Sequence, residues 1–111
     1  LLYRLVFNLV ENAIRYSRPD STVNVSICDN DSYVFLRVED QGPGIPKQYR
    51  ESIFQPFFRL DKSRSRAYGG TGLGLALVWE IAALHGGTAE VKESSERGTA
   101  MLVTLPARAL S

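Results

Sequence analysis

The stretch TVNVSICDNDSYVFLRVEDQGPG, residues 22–44, decides the fold. Val23, Val25 and Ile27 alternate with polar neighbours, the pattern of a half-buried strand over residues 22–28. Asp29, Asn30, Asp31 and Ser32 are turn-forming residues, so residues 33–39 return as the second arm of a hairpin. The chain then reaches Asp40 and enters a loop, 40–46, punctuated by Gly42, Pro43, Gly44 and Pro46. A hairpin with one apolar face needs a second layer to cover it.

That layer is legible on both sides. Upstream, Leu2, Leu5, Val6, Leu9, Val10, Ala13 and Ile14 recur at helical spacing and make one broad apolar stripe over residues 2–16. Residues 17–21 break the pattern. Downstream, residues 47–54 fit a short helix, residues 56–71 lack a clear period, and residues 72–85 form a strongly apolar helix ended by Gly86 and Gly87. Residues 88–92 and 99–105 read as a closing hairpin. The expectation is an α+β, two-layer sandwich: one domain over residues 1–111, with helices on one face of a mostly antiparallel sheet.

Composition narrows the class. Thirteen Lys+Arg against twelve Asp+Glu give a net charge of +1, so no global charge points to nucleic acid or a membrane surface. Hydrophobic residues make up 44% of the chain and charged ones 23%, ordinary globular values. The single cysteine, Cys28, excludes an internal disulfide, and its place in a strand predicts a buried, inert thiol. No apolar run approaches the roughly 20 residues of a membrane span, and no signal peptide is present. Leu1 already lies in the helical pattern with no capping residue before it, as expected of a piece cut from a longer protein.

Three polar elements carry the chemistry. On the first helix, Asn8, Asn12 and Arg15 fall within an arc of roughly 60° bordering the apolar stripe, with Tyr16 between. An Asn side chain offers one neutral oxygen and an NH2 donor. Mg2+ takes few protein oxygens and keeps phosphates and waters in its shell, so one Asn oxygen suits it. Arg15 could reach a phosphate. A solvated polar face is the plainer reading of the same residues. In the loop, the Asp40 carboxylate accepts hydrogen bonds only and can take the exocyclic amino group of adenine, whereas guanine presents a carbonyl there. Gly42 and Gly44 let the backbone approach a planar base, against which Ile45 could pack. A tight Asx turn would use the same Asp and glycines. Third, Gly69-Gly70-Thr71-Gly72-Leu73-Gly74 opens the last helix. Thr71 is a credible N-cap, and the free N–H groups of such a terminus bind phosphate. Close helix–sheet packing is the alternative use of these glycines. The segment lacks Gly-Lys-Ser/Thr and is not a P-loop. Its glycine spacing is not that of a dinucleotide fold either.

Between loop and helix, Phe54, Phe57 and Phe58 form a hydrophobic plug or a docking surface. Arg59, Lys62, Arg64 and Arg66 form either a phosphate-closing lid or a solvated basic loop. Leu73, Leu77, Ile81 and Leu84 are expected to anchor the last helix on the sheet, with Trp79 opposite them. His85 reads as a charge at the helix C-terminus.

In this order the elements resemble the catalytic, ATP-binding domain of bacterial sensor histidine kinases, grouped with the gyrase, Hsp90 and MutL ATPases in the GHKL superfamily. The segment from Asn8 through Asn12 to Tyr16 resembles the N box, and Asp40 to Gly44 the G1 box. Phe54 to Arg59 resembles the F box, Gly70 to Leu75 the G2 box, and Gly98-Thr99 the final Gly-Thr element. The resemblance implies a Bergerat fold, with a mixed, mostly antiparallel sheet. It implies ATP bound by Asn8, Asn12, Arg15, Tyr16, Asp40, Gly42, Gly44, Ile45, Arg59, Thr71, Gly72, Leu73, Gly74, Leu75 and Thr99. Asn12 would hold Mg2+, Asp40 the adenine, and residues 55–71 the ATP lid. The phosphoacceptor histidine would lie outside this chain, in a dimerisation domain of a homodimeric parent. That parent would sit in the bacterial inner membrane, with this domain in the cytoplasm, and would pass its phosphoryl group to a response regulator. The domain itself would contact neither nucleic acid nor membrane. Two departures stand out. Arg15 occupies a position usually held by Lys. Asn8 stands where the related ATPases carry a glutamate base, which argues against efficient hydrolysis by this domain alone. The family's first strand, which normally precedes the N-box helix, is also missing. An anti-sigma-type serine kinase of the same fold, or a non-catalytic nucleotide-sensing or docking module, remains open at this point.

Overall fold

The computed structural model describes residues 1–58 and 73–110. Helix α1 spans Leu2–Tyr16, and the hairpin follows as β1 (Asn24–Asp29) and β2 (Tyr33–Asp40). Residues 47–54 do not form one helix. They make two single 3-10 turns, Lys47–Tyr49 and Ser52–Phe54. Helix α2 (Gly74–Leu84) leads into β3 (Thr88–Ser95) and β4 (Gly98–Pro106), and a last 3-10 turn covers Ala107–Leu110.

The four strands lie in the order β1-β2-β4-β3, and every pairing among them is antiparallel. The helices α1 and α2 pack side by side on one face. The core between the layers comes from Leu5, Leu9 and Ala13 of α1, Val78, Ile81 and Ala82 of α2, and Leu36, Val38, Met101, Val103 and Leu105 of the central strands. Burial of side chains such as Leu5, Leu9 and Val78 contributes about 1.5–3 kcal/mol each.

Three expectations change. The stripe of α1 is buried only along Leu5, Leu9 and Ala13, with Leu2 and Val10 partly covered, while Ile14 is 62% exposed. On α2 the buried face is Val78, Ile81 and Ala82, and Leu84, expected to anchor it, is 70% exposed. That helix is apolar on nearly every side, so its sequence carries no phase to say which side turns inward. Finally, Cys28 is exposed, not buried. It lies on the edge strand and pairs with Phe35, on the face opposite the helices. Even on the inner face the edge strand is uncovered: Val25 and Ile27 pair with the buried Val38 and Leu36 yet stay exposed themselves.

One irregularity positions the site. The pairing of β3 with β4 shifts between Val91 and Glu93. Ala89 and Val91 face the helices opposite Val103 and Met101. Strict alternation would put Glu93 inward next. The extra residue of the bulge turns Glu93 out, to pair with Arg37 at 3.4 Å, and brings Ser94 opposite Thr99.

Candidate functional site

The site gathers where β2 ends. Asp40 sits at the last position of β2, paired with Thr99 of β4. Its Oδ1 accepts two backbone hydrogen bonds, from Gly42 N at 2.9 Å and Thr99 N at 3.2 Å. The first is the Asx turn expected of such a loop. Both bonds fall on one oxygen, and none of the described residues donates to Oδ2. The Asx turn and the ligand role are therefore compatible: one oxygen holds the loop and the other is available. Burial raises the Asp40 carboxyl above the ordinary aspartate range, and the Gly42 and Thr99 hydrogen bonds partly oppose this.

The loop is held closely on every side. A Cβ on Gly42 would lie 2.3 Å from the Tyr16 carbonyl oxygen, and one on Gly44 (φ +86°) 2.2 Å from that of Ser95. Ser94 Oγ accepts from Ile45 N at 2.8 Å and shares a second 2.8 Å bond with Thr99 Oγ1. Arg50 donates to the carbonyls of Ile45 at 3.3 Å and Ser94 at 3.1 Å. Thr99 itself is 5% exposed, the one buried polar side chain among the described residues. Ile45 is partly buried against the core.

On α1, Asn8 Nδ2 donates to the Arg4 carbonyl at 2.7 Å, which leaves its Oδ1 turned toward the start of α2. A Cβ on Gly74 would meet that oxygen at 3.4 Å. The half-buried Asn12 side chain hydrogen-bonds none of the described residues, so its oxygen is open to a ligand. Arg15, expected to reach a phosphate, is paired with Glu11 at 2.8 Å. The two residues are one turn apart on a partly exposed face, and neither is anchored elsewhere. The pair is worth a few tenths of a kcal/mol, about what such helical pairs contribute, so it does not fix Arg15 against a competing anion.

Helix α2 begins at Gly74, with Leu73 at its N-cap and no side chain capping it. Leu75 is partly buried against the core. Arg59, Thr71 and Gly72, with the basic residues Lys62, Arg64 and Arg66, lie outside the described residues. Of the aromatic trio, Phe54 is buried against Trp79 (ring centroids 5.6 Å apart) and Phe58 lies 5.7 Å from the ring of Tyr49. Phe57 is turned outward in a left-handed conformation (φ +63°). Trp79, on the side opposite the expected anchoring face, is half exposed. His85 closes the last turn of α2, its Nδ1 2.8 Å from the Ile81 carbonyl oxygen.

Sequence reasoning had not singled out Ser94, Arg50, Arg18 or Gln41. The inward turn of Ser94 depends on a bulge, and Arg50 and Arg18 each reach a carbonyl far away in the chain, at Ser94 and at Glu96. Neither leaves a local signal.

Residues 1–109 match the family model described as histidine kinase-, DNA gyrase B-, and HSP90-like ATPase. The chain is 49% identical over 100 residues to the sensor protein RstB of Escherichia coli K12, covering 90% of this chain and 22% of that protein. Among solved structures it is similar to the mycobacterial sensor histidine kinase MprB, with 36% identity, a TM-score of 0.79, and coverage of 93% of this chain and 68% of the other. It is also similar to full-length ShkA in complex with AMPPNP, with 28% identity, a TM-score of 0.81, and coverage of 95% and 21%. The chain therefore spans under a quarter of the length of RstB.

Proposed function

The chain belongs to the histidine kinase-, DNA gyrase B- and HSP90-like ATPase family, on its sensor histidine kinase branch, and we propose that it binds MgATP and presents the γ-phosphoryl group to a histidine of the parent protein's dimerisation domain. The observation that carries the reading is the Asp40 carboxylate, held on Oδ1 by two N–H groups with Oδ2 left for a donor such as the adenine amino group. ShkA, similar in fold, was solved with AMPPNP.

The binding chemistry follows from the chain's own groups. Asp40 Oδ2 accepts from the exocyclic amino group, and Gly42 and Gly44 keep the loop low enough for the base to approach. Asn8 Oδ1 and the first turn of α2, which no side chain caps, lie side by side, where a triphosphate would run. No group of three or more His, Cys, Asp or Glu residues capable of caging a metal occurs among the described residues. One neutral Asn12 oxygen fits Mg2+ that is held mostly by phosphates and water. Bound there, the ion would neutralise phosphate charge. Asn8 is no base, so nothing at this position would activate water. The incoming imidazole nitrogen brings its own lone pair, forms the N–P bond as the bond to the β-phosphate oxygen breaks, and ADP leaves. Positioning and charge neutralisation are most of what phosphoryl transfer needs.

In this reading the parent is a homodimer whose phosphohistidine is consumed by a response-regulator aspartate. The same reading attaches the parent to the membrane; among the described residues no helix is long and apolar enough to cross one. The test is to mix the chain with the parent's dimerisation helices and ATP labelled at the γ-phosphate. Acid-labile label on the helix histidine is expected. Label on a serine of another protein, or none at all with Asn12→Ala and wild type binding ATP alike, would overturn the reading.

A further inference from the structure

Gln41, next to Asp40, is grasped by the segment that follows α1. Its N–H donates to Ser17 Oγ at 3.2 Å, and its side-chain Oε1 accepts from Thr22 N at 2.9 Å. Its carbonyl accepts from Arg18 Nη1 at 3.1 Å. The other guanidinium nitrogen, Nη2, donates to the Glu96 carbonyl at 2.7 Å in the β3–β4 turn. The carbonyl gripped by Arg18 belongs to the same peptide unit as the Gly42 N–H. In a planar trans peptide these two groups point in opposite directions. Fixing the oxygen on Arg18 therefore fixes the N–H on Asp40 Oδ1, where it donates at 2.9 Å. A cationic donor on the oxygen also polarises the peptide and strengthens the bond its N–H makes.

We propose that Arg18 is a positioning residue for nucleotide selection: through the Gln41–Gly42 peptide it sets the rotation of the Asp40 carboxylate, and so the aim of Oδ2 at the adenine amino group. The inference rests on the adenine reading of Asp40. In this proposal Arg18 acts through the peptide and not by contact with the nucleotide. Without it the 41–42 peptide loses the anchor on its carbonyl, the Gly42 bond weakens, and the carboxylate, left with Thr99 N as its firm donor, turns about its side-chain bond. The loss then falls on the one contact Asp40 makes, not on the phosphates.

The experiment is calorimetric titration of the chain with MgATP and with the Mg2+ complex of purine riboside triphosphate, which lacks the exocyclic amino group. Wild type is expected to prefer ATP. Arg18→Ala is expected to weaken ATP about tenfold and the analogue less than about twofold. Arg18→Ala added to Asp40→Asn should cost nothing further. Arg18→Lys, able to reach one carbonyl, should recover part of the preference. Arg18→Gln, which removes the charge and the second donor nitrogen while keeping much of the stem, provides the same comparison if Arg18→Ala fails to fold. Equal losses for both nucleotides, or additive losses in the double variant, overturn the proposal and leave the Asp40 reading standing. Wild type that binds both nucleotides alike removes the adenine reading and this proposal with it.

Discussion

The α-carbon of Gly42 faces the carbonyl oxygen of Tyr16 so closely that a Cβ there would lie 2.3 Å away. The end of α1 and the Asp40 loop thus touch backbone to backbone, with no side chain between them to yield. Gly42→Ala should therefore destabilise the fold by about 1–3 kcal/mol, as overpacked sites do, and lower ATP affinity further by lifting the loop. Urea unfolding beside calorimetry checks both. An unchanged midpoint would mean that the loop shifts freely off α1.

Gly74 makes the opposite case. A Cβ would meet Asn8 Oδ1 at 3.4 Å, an ordinary contact. Alanine is the better helix former by about 1 kcal/mol, so Gly74→Ala should raise the melting temperature. If phosphates pass between Asn8 and α2, the same methyl group should weaken ATP several-fold. A variant gaining stability with full affinity would assign this glycine to packing alone.

The raised Asp40 carboxyl has a stability signature. Its folded value lies above the unfolded value of about 3.9, so the folded state binds the proton more tightly. This group's contribution to stability is full below that unfolded value and is lost as pH rises through the raised folded one. Asp40→Asn keeps an acceptor for Gly42 and Thr99 but does not titrate. Its unfolding free energy should lack this decline, while its preference for ATP over GTP disappears. Denaturant melts from about pH 3.5 upward, starting below the unfolded value, measure the difference. Parallel curves for the two proteins would contradict the assignment.

Ser94 joins three partners: it accepts from Ile45 N, bonds Thr99 Oγ1, and through its carbonyl receives Arg50. Ser94→Ala leaves the Ile45 N–H and the buried Thr99 hydroxyl without this partner and should cost about 1–3 kcal/mol. Ser94→Thr should retain much of it. Hydrogen exchange at Ile45 should quicken in the alanine variant alone.

How far these residues could be read beforehand depended on how local their signals are. The α1 helix, the β1–β2 hairpin and the Asp40 loop were legible because periodicity and turn residues lie within a few positions of one another. The burial of α2 was not, since an all-round apolar helix has no preferred face in sequence. Cys28 was expected inside from its residue type alone, although the alternation of Val23, Val25 and Ile27 already groups it with Asn24 and Ser26 on the outer face; the exposure of Val25 and Ile27 escaped because a strand at the edge of a sheet carries the same alternation as one in the middle. Ser94, Arg18 and Arg50 escaped for a deeper reason. A bulge at Lys92 decides which β3 side chain faces Thr99, and carbonyls more than forty positions away, at Ser94 and Glu96, decide what Arg50 and Arg18 hold. Of the nucleotide set, Asn8, Asn12, Asp40, Gly42 and Thr99 lie among the described residues with free or converging polar groups. Arg59, Thr71 and Gly72 lie outside them.

The open edge of β1 gives the molecule a practical handle. Cys28 is its single thiol and is exposed, at the far end of the hairpin from Asp40. A maleimide dye should attach there at one place, without any substitution and without touching the loop that holds Asp40. The native sequence therefore carries its own reporter position, from which fluorescence could follow nucleotide arrival or the approach of another domain in real time.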